Sequence, residues 1–132
     1  MHRGFLMKKW TFIILTLSLL FFCFSCSSGP FKSQEKHLEL MGNPTTGYFW
    51  TYSVSDEGII QIDDNIEYLG RGEVTGATSL YMYTLTSLKP GNLILTFEYK
   101  RLWENEVPES RRIYEINVRD DGKIRMKEIK GE

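Results

Sequence analysis

Along much of this chain apolar and polar residues alternate with a period of two. The clearest case is Leu93, Leu95, Phe97 and Tyr99, set against Ile94, Thr96 and Glu98, the pattern of a strand that buries one face. Tyr81, Tyr83 and Leu85 point inward in a strand over 80–88, and Tyr114, Ile116 and Val118 alternate with Glu115 and Asn117. Tyr48, Trp50, Tyr52 and Val54 share one face of a further strand, with Phe49, Thr51 and Ser53 on the other. His37-Leu38-Glu39-Leu40 predicts a first strand, and the charged alternation over 124–129 a final edge strand. Between Val54 and Leu80 the pattern reads as two short strands, 59–62 and 66–69, joined by a turn at Asp63-Asp64-Asn65. Asp56-Glu57-Gly58, Lys89-Pro90-Gly91-Asn92 and Asp120-Asp121-Gly122 are further turn signals. No helical period of useful length and no repeat is present. Short strands separated by such turns predict an all-β fold: an immunoglobulin-like β-sandwich of about seven strands.

Three segments break the alternation, beginning near residues 43, 70 and 100. The first is Asn43-Pro44-Thr45-Thr46-Gly47, ahead of the aromatic strand. Pro44 fixes its own φ and pushes Asn43 out of the helical region, while Gly47 permits a positive φ. The expectation is a stiff loop tipped by two small hydroxyl residues. The second segment, 70–79, holds Gly70, Gly72 and Gly76 and few large apolar residues, and the third, 100–110, carries Trp103 and Pro108. Both read as long loops. Strand direction alternates in a sandwich, so all three can share one end.

The first segment, followed by Tyr48-Phe49-Trp50, resembles the first inhibitory loop of the chagasin family, which inhibits papain-like cysteine proteases. The resemblance spans roughly 38–118 and implies a sandwich with three binding loops at one end. By the resemblance, Asn43, Pro44, Thr45, Thr46 and Gly47 enter the protease cleft, with Thr45 nearest the catalytic pair. The family's glycine-rich middle loop falls on Gly76-Ala77-Thr78-Ser79, where only Gly76 keeps the pattern. Its third loop carries Arg-Pro-Trp. Here Arg101 and Trp103 match, and Leu102 stands in place of the proline, which removes a φ constraint. The implied activity is reversible inhibition, with Trp103 as an aromatic anchor and Arg101 either a charged contact at the rim or a brace for its own loop.

Composition narrows the alternatives. The 132 residues are 42% hydrophobic and 25% charged, with a net charge of −1, ordinary for one globular domain. Nucleic acid as the main partner would want a basic field that this balance lacks. A monomer is expected, with a papain-like protease as partner and no cofactor or metal. His2 and His37 are the only histidines, and Cys23 and Cys26 the only cysteines, so a Cys/His pair in the mature domain is not expected. The adjacent aspartates at 63–64 and 120–121 read as turn residues rather than as acid–base or calcium groups.

Residues 1–26 look like an export segment. Met7-Lys8-Lys9 is positive, and the apolar run from Trp10 to Phe22 has the length of a signal-peptide core. Ser25-Cys26 resembles a bacterial lipoprotein signal, with Cys26 the lipidated residue. Residues 27–36 then read as a polar tether and 37–132 as the domain. The expected location is then the cell envelope, on a membrane by a lipid anchor. A different partner for such a surface lipoprotein, a glycan or another envelope protein, is the alternative reading.

Overall fold

The computed structural model describes residues 29–69 and 78–131. Seven strands make up the fold: β1 (Glu35–Gly42), β2 (Tyr48–Val54), β3 (Ile60–Tyr68), β4 (Ser79–Ser87), β5 (Gly91–Arg101), β6 (Ser110–Val118) and β7 (Ile124–Gly131). They form two antiparallel sheets, one in the order β1-β4-β3 and the other β2-β5-β6-β7. The described residues form an all-β, seven-stranded immunoglobulin-like sandwich.

The alternating residues supply the core. Leu40, Tyr81, Tyr83 and Leu85 face in from one sheet, and Leu93, Leu95, Phe97, Tyr114, Ile116 and Val118 from the other. The Phe97 ring joins the layers, with its centroid 4.7 Å from that of Tyr83 and 6.0 Å from that of Tyr114. Burying each such side chain contributes about 1.5–3 kcal/mol, which lets two small sheets hold together without a disulfide among the described residues. Trp50 and Val54 of the edge strand β2 pack against this core, and Tyr52 keeps ring contact with Tyr83 and Phe97 although it is exposed.

Two boundaries differ from the sequence expectation. Asp63-Asp64-Asn65 is not a turn: it lies mid-strand in β3, where Asp63 pairs with Thr84, Asp64 with Tyr83 and Asn65 with Met82. The strand is at the edge of its sheet, so three polar residues in a row stay solvated while their backbone completes the ladder with β4. Their charge also guards that edge against pairing with another chain. The polar run before the domain is also shorter than expected. Glu35 and Lys36 already belong to β1, and residues 32–34 are hydrogen-bonded to the sandwich.

The strands define two poles. At one, Gly42 and Tyr68 both pair with Ser79, and Tyr48 pairs with Arg101. The first and third loops leave from these strand ends, and so do the ends flanking residues 70–77. At the other pole lie the 55–59 and 88–90 connections and the β6–β7 hairpin.

Candidate functional site

Loop 43–47 has the stiffness its residues demand. Asn43 is extended (φ −131°, ψ 92°), as a residue before proline should be. Its side-chain Oδ1 caps the single 3-10 turn Pro44–Thr46, accepting from the Thr45 N–H at 3.1 Å and from the Thr45 hydroxyl at 2.5 Å. The Thr46 hydroxyl donates to the Asn43 carbonyl at 2.7 Å. Gly47 closes the loop in the left-handed region (φ 82°) and donates its N–H to the Pro44 carbonyl at 3.0 Å. The tip residues Thr45 and Thr46 are exposed. Each hydroxyl proton is spent inside the loop, so toward a partner both hydroxyls can act only as acceptors.

The base of the loop rests on aromatics that the motif does not contain. The Tyr99 hydroxyl accepts from the Asn43 N–H at 2.7 Å and lies 3.3 Å from the Asn43 carbonyl. Its ring stacks on Tyr48 (5.4 Å between centroids) and meets Trp50 at 5.1 Å. The Trp50 indole N–H in turn donates to the Met41 carbonyl at 2.9 Å. Below them the buried Tyr81 hydroxyl has no hydrogen-bond partner among the described residues, and burial pushes its ionisation up to about 12.

The third loop is packed against the first. Trp103 is 68% exposed, so it is not a core residue, yet its indole lies directly over Gly47. A Cβ at position 47 would sit 2.5 Å from the Trp103 Cη2 atom. Glycine is therefore required there twice, for its φ and for the tryptophan above it. Arg101 serves as a brace. Its guanidinium lies 4.6 Å from the Tyr48 ring centroid, donates from Nε to the Thr46 carbonyl at 3.4 Å and pairs with Glu104 at 3.0 Å. The hydrogen bond to Glu104 holds the Arg101 pKa above its ordinary value. Leu102 and Val107 add exposed apolar surface to this loop.

Asn43, Pro44, Thr45, Thr46, Gly47, Arg101 and Trp103 therefore form one continuous surface. Gly76 and Cys26 lie outside the described residues. Sequence reasoning missed Tyr99 and Tyr48 as supports. The signal available was an aromatic at the last inward step of the β5 alternation, two residues before Arg101.

A rigid sandwich with a projecting, internally hydrogen-bonded loop and an exposed tryptophan beside it is a protein-binding module. The model of the chagasin family of peptidase inhibitors matches residues 32–118, and the chain belongs to this family. Among solved structures it is similar to a cysteine protease inhibitor from Entamoeba histolytica, at 25% identity and a TM-score of 0.57. The match covers 64% of this chain and 78% of that one. A comparison with curated protein sequences finds no match.

Proposed function

We propose that the protein is a reversible inhibitor of papain-like cysteine proteases and that its loop pole plugs the active-site cleft. The observation that carries the detail is the seating of Trp103 on Gly47, which fuses the first and third loops into one wedge. Thr45 and Thr46 at the tip are small enough to enter a narrow cleft holding a nucleophilic cysteine and its histidine. Their unused lone pairs suit donors on the enzyme, such as the histidine ring or backbone N–H groups. The capped turn is already formed, so docking costs little loop entropy. Trp103 supplies the apolar anchor beside the tip. No covalent step is needed.

Family membership and the similar cysteine protease inhibitor support this reading. A standard interface of about 800 Å² per partner is expected. Titrating papain or a cathepsin with the purified protein tests it: loss of activity at sub-micromolar inhibitor is expected. Full activity at high micromolar would instead favour a glycan or another envelope protein as the partner.

The charged start, apolar run and Ser25-Cys26 of residues 7–26 support export and acylation of Cys26 in the cell envelope. A Cys26→Ser chain should then lose both acyl labelling and its place in the membrane fraction.

A further inference from the structure

The first described residues are fastened to the sandwich. The Lys32 N–H donates to the Asp121 carbonyl at 3.4 Å, the Ser33 hydroxyl to the Ser87 carbonyl at 2.6 Å and the Gln34 N–H to the Ser87 hydroxyl at 2.9 Å. Ser87 is fully buried, and its hydroxyl donates onward to the Gly122 carbonyl at 2.7 Å. Gly122 has φ 86°, and a Cβ there would lie 1.9 Å from the Lys32 carbonyl oxygen. Residues 32–34 are thus clamped between the end of β4 and the β6–β7 hairpin. Gly29 lies at the same place, lining a hollow with Pro90, Asn92 and Asp120.

All of these groups lie at the pole opposite the loops. β5 runs from Gly91 at the clamped pole to Arg101 at the loop pole. Its 11 residues span about 33 Å at the usual rise of a strand.

We propose that the protein stands on a lipid bilayer by its clamped pole, with the inhibitory loops directed away from the membrane. The proposal rests on the reading of Cys26 as acylated. Six residue steps separate Cys26 from Lys32, so covalent geometry keeps an acyl group on Cys26 within at most about 20 Å of the clamp. That is shorter than the sandwich, so the loop pole, at the far end, lies beyond the tether's reach. Charge at the clamped pole is balanced: Lys32, Lys89, Arg119 and Lys123 stand against Asp56, Glu57, Asp120 and Asp121. Neither sign of lipid surface then expels it. The outer face of β1-β4-β3 carries Glu35, Glu39, Asp63 and Glu67 and disfavours lying flat on anionic lipid. The outer face of the other sheet carries Lys100, Arg111, Arg125 and Lys127 against Glu98 and Glu115, a positive balance that makes lying on that face the competing arrangement. A protease arriving from the aqueous side meets the wedge unobstructed when the molecule stands upright.

The full chain, produced in a bacterium that processes lipoproteins, is inserted into vesicles of phosphatidylcholine with and without phosphatidylglycerol. An acylated Cys26 leaves no thiol in the mature chain, so a single cysteine takes a dye at Glu57→Cys, at the clamped pole, or at Asn105→Cys, beside the loops. Headgroup spin labels should quench the dye at 57 several-fold more than the dye at 105 in both vesicle types. The unlabelled protein on vesicles should inhibit papain within about threefold of its potency in detergent, because the wedge stays free. Equal or inverted quenching overturns the proposal, as does loss of inhibition on reconstitution, or a mature chain that lacks acyl mass and stays off the vesicles. A chain with the expected quenching that inhibits papain in neither setting contradicts the inhibitor reading and leaves the orientation standing.

Discussion

The Tyr99 hydroxyl touches both backbone polar groups of Asn43, while its ring lies between Tyr48 and Trp50. A Tyr99→Phe chain keeps the stack and removes only the hydroxyl. The Asn43 N–H, half-buried, then loses its partner, at a cost of about 1–2 kcal/mol. The loss falls on the loop's shape rather than on the core. Inhibition should weaken by about tenfold, a loss of roughly 1.4 kcal/mol, while the melting temperature moves by only a few degrees. An unchanged inhibition constant with a lowered melting temperature would make Tyr99 purely structural. The loop motif was legible because Pro44 and Gly47 dictate backbone shape from their own covalent structure. Tyr99 was not legible as its support, because it lies 56 residues from Asn43 and meets it only once β2 and β5 pair.

At the scale of elements, β4, β5 and β6 were readable because each buries one face and so must alternate. β3 was not readable as one strand. Its edge position leaves Asp63, Asp64 and Asn65 exposed, and nothing in an exposed Asp-Asp-Asn separates a strand edge from a turn. The third loop is where an element can be improved. Arg101, the last residue of β5, is extended, which is the conformation required before proline. Leu102→Pro is therefore compatible with the strand end and removes freedom from the unbound loop. About 0.4–1 kcal/mol of pre-organisation is expected, read as a two- to fivefold lower dissociation constant for papain. A weaker complex would show that loop 3 must rearrange on docking.

For the molecule as a whole, acid stability has an identifiable contributor. On the outer face of the larger sheet Glu98 accepts from Lys100 at 2.8 Å and from Arg111 at 2.7 Å. The hydrogen bonds from Lys100 and then Arg111 hold its pKa below the ordinary 4.5. The unfolded chain therefore takes up the proton first as pH falls. This stabilisation is complete above pH 4.5 and is lost as pH drops through the lower folded value. Urea midpoints of the native and Glu98→Gln chains should differ most near neutrality and converge in acid. A constant gap across that range would remove Glu98 as the cause. In the proposed complex the Thr45 tip occupies the protease cleft. The most direct measurement of this is the binding of the native and Thr45→Arg chains to papain, with the cleft free and with its cysteine carrying a small covalent blocker. Thr45 is exposed and the substitution removes only one exposed hydrogen bond, to Asn43 Oδ1, so the melting temperature should move by no more than a few degrees. Affinity should fall at least about 100-fold, equivalent to 2.7 kcal/mol or more, and the blocked enzyme should bind the native chain far less tightly than the free enzyme. Equal affinity of both chains, or equal affinity for free and blocked papain, would contradict the account.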